Sequence, residues 1–231
     1  MNQNTSSAVM QQRTEAHDSL DDFPTPPWAT RALMHYLLSP KLTRYGGRGL
    51  VHMTAWEPCA NRGFMVLPLK EVFSKVIASD IFDYGMGYHV HDFLMPFTPF
   101  HSAEPVDWVI TNPPFRLAEQ IILRGLEIAS QGVAVLVRSA FEEGVDRYHK
   151  LYAANPPTLM GVFTERVIMH KGVLRDPSKL YLDERTGEMK RPSTATSYKW
   201  MVWAKGRDPL PQIWIPPCRR QLERPGDYPN G

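Results

Sequence analysis

The chain is 231 residues long, 43% hydrophobic and 22% charged, which suffices for one domain with a sizeable core and falls short of two domains of ordinary size. A formal net charge of +2 excludes nucleic-acid binding through the overall field, so any such surface must be a local patch. Two cysteines, Cys59 and Cys218, with no Cys-x-x-Cys pair, exclude a disulfide framework, argue against structural zinc and fit a reducing cytoplasmic compartment.

Residues 1–20 are polar and hold no apolar stretch long enough for a signal peptide or a membrane span, so a mobile tail is expected there. Residues 219–231 are also polar and contain Pro225 and Pro229, which predicts a second tail and one folded body over residues 21–218. Pro27 to Leu38 reads as a helix with proline in its first turn, ended by the segment from Pro40 to Gly49. Val51 to Trp56 predicts a strand and Phe64 to Phe73 the helix after it. Val76 to Ala78 predicts a strand ending at Ser79 and Asp80, Trp108 to Thr111 another, Leu117 to Ala129 a helix, and Val133 to Val137 a strand buried on both faces. Strands alternating with helices imply an α/β fold, a parallel sheet with helices on both sides. Thr158 to Phe163 and Thr196 to Trp203 have no obvious helix between them, so they are expected to close the sheet as an antiparallel pair. Their connection, Glu165 to Ser193, is long and basic, which in a compact domain points to function or disorder.

The most informative stretch is Asp107-Trp108-Val109-Ile110-Thr111-Asn112-Pro113-Pro114-Phe115, an apolar strand that stops at an Asn-Pro-Pro-aromatic tetrapeptide. Two prolines fix φ near about −65° and remove two N–H donors, so the carbonyl groups of the turn are held with few internal partners. The Asn112 side chain and the Pro113 carbonyl can then both accept from one amino group, and Phe115 offers a flat face to the ring bearing it. Asn155-Pro156-Pro157 repeats the tripeptide, but it follows the helix-like Asp146 to Tyr152 and has no aromatic after it; that copy reads as a helix stop.

In an open α/β sheet, ligands sit beyond the carboxyl ends of the strands. Glu57-Pro58-Cys59-Ala60-Asn61-Arg62-Gly63 is the first such loop; Gly63 permits close backbone approach and Asn61 tolerates left-handed geometry. Asp80, with Ile81 after it, stands where a carboxylate can accept both hydroxyls of a ribose. Asp92 and Phe93 can supply an acceptor for an adenine amino group and an apolar wall for its ring.

With these loops in this order, the chain resembles the S-adenosylmethionine-dependent DNA adenine-N6 methyltransferases of the small type found in phages and prophages. The resemblance rests on Asp22-Phe23-Pro24-Thr25-Pro26-Pro27-Trp28, the 57–63 loop, Asp80, Asp92-Phe93 and Asn112 to Phe115, and extends to Arg-Val-x-Met-His-Lys-Gly from Arg166 and Thr-Ala-Thr-x-Tyr-x-Trp ending at Trp200. It implies a Rossmann-like class I methyltransferase fold with a mostly parallel seven-stranded sheet and a late antiparallel strand. It also implies a cofactor site that includes Thr25, Pro26, Glu57, Pro58, Cys59, Asn61, Gly63, Asp80, Ile81, Asp92, Phe93 and Asn112, and catalysis by Asn112, Pro113, Pro114 and Phe115 on a flipped adenine. The family usually has glycine where Asn61 stands; a side chain there can crowd the methionine part of the cofactor, and asparagine being the mildest such replacement, weakened binding is the most that is expected.

His89-Val90-His91-Asp92 lacks a third convincing ligand and reads as a loop, so no metal is expected. Arg138 and, in the basic connection, Arg166, His170, Lys171, Arg175, Lys190 and Arg191 are the candidates for contacts to double-stranded DNA, against the alternative of a solvated loop. Two rival functions remain: a methyltransferase acting on RNA or on a protein glutamine, and a silent module that keeps the fold and binds cofactor or DNA without turnover. Little room is left for a separate recognition domain, which predicts a short target site, and a homodimer is compatible with the chain.

Overall fold

A computed structural model describes residues 21–42, 49–95 and 106–229, with the side chains of 39–42 excepted; the tail expected over residues 1–20 lies outside them. Among the described residues eight strands form one sheet: β1 (Thr54–Glu57), β2 (Lys75–Asp80), β3 (His89–Val90), β4 (Trp108–Thr111), β5 (Gly132–Arg138), β6 (Leu159–Phe163), β9 (Tyr198–Ala204) and β10 (Ile213–Ile215), in the order β10-β6-β9-β5-β4-β1-β2-β3. Strand β9 runs antiparallel to both neighbours, and every other pairing is parallel. The sheet therefore has one strand more than the seven expected.

Alternation within single strands places the core on both faces. Ala134 and Leu136 of β5, Trp108 and Ile110 of β4, and Trp200 and Val202 of β9 pack with Leu33 and Leu37 of the N-terminal helical segment. Val133, Val135 and Val137, with Val109, Met201 and Trp203, pack with Ile121 and Ile122 of the helix Ala118–Ile128. Period-two side chains on a strand buried on both sides produce this division, and it is why β5 reads as a continuous apolar run. The helix lies close to the sheet at Gly125, where a Cβ would come within 2.9 Å of Val133 Cγ2.

Several boundaries differ from expectation. The helix begun at Pro27 is α-helical to Ala32 and widens into π-type turns over Leu33–Leu42, past Pro40. Residues 50–52 form a 3-10 turn before β1, and the helix expected from Phe64 is regular only over Val66–Lys70. Strand β10 escaped notice because Ile-Trp-Ile is short and lies between Pro211 and Pro216; at a sheet edge, flanking prolines are tolerated. The basic connection contains a hairpin, β7 (Tyr181–Asp183) and β8 (Glu188–Lys190). Its first part is not solvated loop, since Val167, Met169 and Leu174 are buried.

The stretch after Cys218 is no free tail, although its polarity predicts one. Arg219–Leu222 form a helical turn, and buried Asp227 accepts two hydrogen bonds from the Arg31 guanidinium, at 2.7 and 2.9 Å. Arg31 also reaches Glu71 and the Leu222 carbonyl. A buried guanidinium needs such acceptors, so one arginine of the N-terminal helix holds the C-terminal segment in place.

Candidate active site

All parallel strands end on one edge of the sheet, and a cleft of about 820 Å³, open mouth included, lies there. Four strand ends build it: the 57–63 loop after β1, Asp80 and Ile81 from β2, His91 to Leu94 after β3, and Asn112 and Pro114 after β4. A fifth piece, Asp21 with Phe23, Pro24 and Thr25, crosses it from the N-terminal side. Thr25, Pro58, Cys59, Asn61, Asp80, Ile81, Asp92, Phe93, Asn112 and Pro114 all line it.

The first loop turns through Asn61, whose φ of 49° is the only positive value among the described non-glycine residues. The turn is held from β2: Ser79 O accepts Ala60 N–H at 2.9 Å and Asp80 Oδ2 accepts Asn61 N–H at 2.9 Å. Asp80 Oδ1 accepts Phe82 N–H. Burial raises the Asp80 pKa, partly opposed by these backbone donors. Asn61 lines the cleft, and its side chain is held in place: its Nδ2 donates to Asp22 Oδ1 at 2.7 Å and its Oδ1 accepts from Arg62 N–H. Asp22 and Arg62 are also ion-paired at 2.7 Å. The polar atoms of Asn61 are thus engaged with residues outside the cleft lining.

Glu57 does not line the cleft; it is fully buried beneath it. Its Oε1 accepts from Cys59 N–H and from the Thr111 hydroxyl, and its Oε2 has no partner. Burial outweighs those bonds and pushes its pKa up to about 8. Gly63 also stands back from the lining: at φ +84° its missing Cβ would meet the Tyr88 hydroxyl at 2.1 Å, so it is glycine because of Tyr88 as well as the turn. Pro26 caps the N-terminal helix. Phe93, 4% exposed, meets Trp56 edge-on at 5.0 Å.

Asn112 is the best-defined group. Its Nδ2 donates to the Phe23 carbonyl at 3.0 Å and the Thr25 hydroxyl at 3.0 Å, with Met169 Sδ at 3.7 Å. Two oxygen acceptors on one side fix the amide's orientation, and they leave Oδ1 buried without a partner. Pro113 is buried beside it. Phe115 is half-buried; its N–H donates to Asp21 Oδ2 at 2.8 Å, and its ring lies 5.5 Å from that of Phe23.

Asp21, Phe23 and Met169 were not singled out as site residues. Phe23 was legible as part of the Thr-Pro element, and Met169 from the alternation Arg166-Val167-Ile168-Met169, whose second and fourth members are buried. Asp21 carried no signal, since its role is to meet a backbone N–H 94 positions away. Among the described residues no group of three His, Cys, Asp or Glu side chains could hold a metal ion, and no helix is long and apolar enough to cross a membrane.

The candidate DNA-contacting residues fall into two sets. Arg138, at the end of β5, lies over the Phe115 ring at 3.5 Å. Arg166 donates to Ser197 Oγ, and at the base of the β7–β8 hairpin Arg175 lies over Tyr181 at 4.0 Å, with His170 Nε2 2.9 Å from Ser193 O. Lys190 is neutralised by Asp183 at 2.6 Å, and Lys171 and Arg191 are exposed.

No family model matches the sequence, and neither does any curated protein. Among solved structures, the methyltransferase subunit of a type I restriction-modification system from Streptococcus thermophilus superposes with a TM-score of 0.54 at 10% identity, over 90% of this chain and 50% of that one. A candidate RNA methyltransferase from Pyrococcus horikoshii gives 0.49 at 16%, over 88% of this chain and 98% of that one. The modification subunit of a candidate type I restriction enzyme from Vibrio vulnificus gives 0.48 at 12%, over 87% and 48%. This chain spans about half the length of the two type I subunits. What is shared at such identities is the fold, and the strand order with one antiparallel strand beside β5 is that of the Rossmann-like class I methyltransferases.

Proposed function

We propose that the protein transfers a methyl group from S-adenosylmethionine to the N6 amino group of adenine in double-stranded DNA, acting on a base flipped out of the duplex. The observation that carries this reading is Asn112 Oδ1, a buried acceptor without a partner at the cleft, held there because the same amide's nitrogen is committed to Phe23 and Thr25. A buried acceptor left open is costly unless a ligand donor meets it.

The residues present fit the cofactor. The cleft is of nucleoside-and-amino-acid size, Asp80 offers carboxylate lone pairs at the end of β2, Phe93 and Ile81 offer apolar walls, and Glu57 keeps one unpartnered oxygen under the first loop. Bound there, S-adenosylmethionine supplies a methyl group already activated on a sulfonium. The protein's task is then alignment more than proton abstraction. Asn112 Oδ1 and the Pro113 carbonyl, accepting the two amino hydrogens, favour a pyramidal nitrogen whose lone pair is free to attack. Phe115 stacks on the base. The proton leaves to water after transfer, and no histidine is given the role of general base.

The chain's own residues also set a pH dependence for the cofactor site. Burial, with a smaller contribution from the Asp80 carboxylate, favours neutral Glu57 up to about pH 8, above which a charge develops beneath the first loop. The basic residues around the β7–β8 hairpin, Arg166, His170, Lys171, Arg175 and Arg191, support a phosphate-contacting surface.

The test is transfer of labelled methyl from S-adenosylmethionine to unmethylated duplex DNA, with nucleoside analysis and Asn112→Ala in parallel. Label in N6-methyladenosine that disappears in the variant is the expected result. Label on RNA or protein instead, or cofactor binding with no transfer to any of them, overturns it.

A further inference from the structure

Arg138 occupies a position that the proposed stacking of a base on Phe115 has to reckon with. It ends β5, is half-buried, and its guanidinium carbon lies 3.5 Å from the Phe115 ring centroid and 5.7 Å from that of Phe23. Its Nε is buried and bonded to nothing, and no ion pair among the described residues includes it. A flat cation without a carboxylate, laid on an aromatic face, is held by cation–π attraction alone. That is weak enough to be exchanged for a better partner.

A second groove, of about 630 Å³ with its open mouth, lies along the same sheet edge and is lined by Ser139, Thr164, Glu165, Arg166, Ser197 and their neighbours. Arg138 adjoins it in the chain: Ser139 N–H donates to Ser197 O at 2.8 Å, and Ser197 Oγ accepts from Arg166. The one carboxylate in the groove, Glu165, is spent on Arg219, accepting its N–H at 3.0 Å and its Nε at 3.1 Å. The Thr164 hydroxyl is likewise spent on Ile215 O, and Arg166 Nη1 on Ser197 Oγ and Ala195 O, so what the groove presents is the remaining donors of Arg166 and the Ser139 hydroxyl, with a second unpaired arginine at its margin. That set suits a phosphodiester.

We infer that Arg138 is a placeholder on the Phe115 face which an incoming base displaces, and that it swings to the phosphodiester arriving with that base in the groove beside Arg166. This inference rests on the base-stacking reading above. Arg138 is a positioning residue in it: it keeps the aromatic face covered when no nucleotide is present and couples base entry to phosphate capture.

The experiment uses the full chain and two fluorescent probes, the 2-aminopurine deoxynucleoside, which has no phosphate, and the trinucleotide thymidine–2-aminopurine–thymidine, which has one on each side. Stacking quenches both. Arg138→Ala is expected to bind the nucleoside about three- to tenfold more tightly, since nothing competes for the ring. The same variant is expected to bind the trinucleotide more weakly, with the slope of log affinity against log salt reduced by about 0.7, the value for one phosphate contact on a single strand. Arg166→Ala should lower that slope and leave the nucleoside unchanged. Arg138→Lys keeps charge without a flat face, so it should tighten the nucleoside and preserve the slope; it carries the test if the alanine variant does not fold. Equal weakening of both probes in the Arg138 variants, or no change in either, overturns the inference while leaving the stacking reading intact. Failure of the unaltered protein to quench either probe overturns both.

Discussion

The two Asn-Pro-Pro tripeptides have the same local chemistry and opposite fates. Asn112 follows the buried strand β4, and its side chain is clamped by Phe23 and Thr25 so that one oxygen stays buried without a partner beside a cleft. Asn155 follows a helical turn; its N–H donates to Leu151 O at 2.7 Å, and its carbonyl accepts from Trp203 Nε1 at 2.8 Å. At the second copy the backbone groups are consumed in ending a helix and anchoring β9. The same tripeptide keeps an unpartnered acceptor only where other chain segments take up its side-chain donors.

The sharpest way to break that comparison is alanine at each asparagine. Asn112→Ala is expected to lower methyl transfer about a thousandfold, or about 4 kcal/mol of transition-state stabilisation, with cofactor affinity changed only a few-fold. Asn155→Ala should leave the rate alone. Comparable losses at both positions in a labelled-methyl assay would remove the distinction.

Glu57 supports the first copy through Thr111, and its raised pKa gives the next largest effect. Its ordinary value of 4.5 rises to about 8 on folding, so the folded protein holds a proton that the unfolded chain releases. The stabilisation is complete below about pH 4.5 and is lost as pH rises through about 8. The cofactor-free protein should lose a few kcal/mol over that window by this route, and Glu57→Gln should flatten the dependence. Denaturant titrations at several pH values decide it; equal slopes in both proteins would refute the assignment.

Asn61 tests the turn that lines the same cleft as the Asn112 copy. Asn61→Ala forces a left-handed residue without asparagine's tolerance and removes the bond to Asp22, at about 1–2 kcal/mol. Asn61→Gly loses the bond but relieves the backbone, so its melting temperature should lie between those of the alanine variant and the unaltered protein. The smallest effect belongs to the structural copy: Trp203→Phe removes the bond to Asn155 O, should lower stability by about 1 kcal/mol, and should leave methyl transfer unaffected.

How much was legible beforehand follows from the range of the interactions concerned. Strand β4 was read to the residue and β5 to within one at each end, because a strand buried on both faces is apolar throughout. Asn61's left-handed backbone was legible because few side chains tolerate it. Strand β10 and the β7–β8 hairpin were not, being three residues each with no period to detect. The packing of the C-terminal stretch was hidden for another reason: a polar sequence looks like a tail until a distant Arg31 supplies the charge that buries Asp227.

By itself the sequence determined the alternation of strands and helices, the order of the loops along one sheet edge, and the residue types in them, since these depend on local periodicity and on side chains that favour particular turns. Only the tertiary structure decided which way the Asn112 amide faces, that Asn61 turns to Asp22 and Arg62, that Glu57 is buried with one oxygen unmet, and that Arg138 covers Phe115. Each of these is a contact between segments remote in the chain, fixed by which donors and acceptors folding brings together.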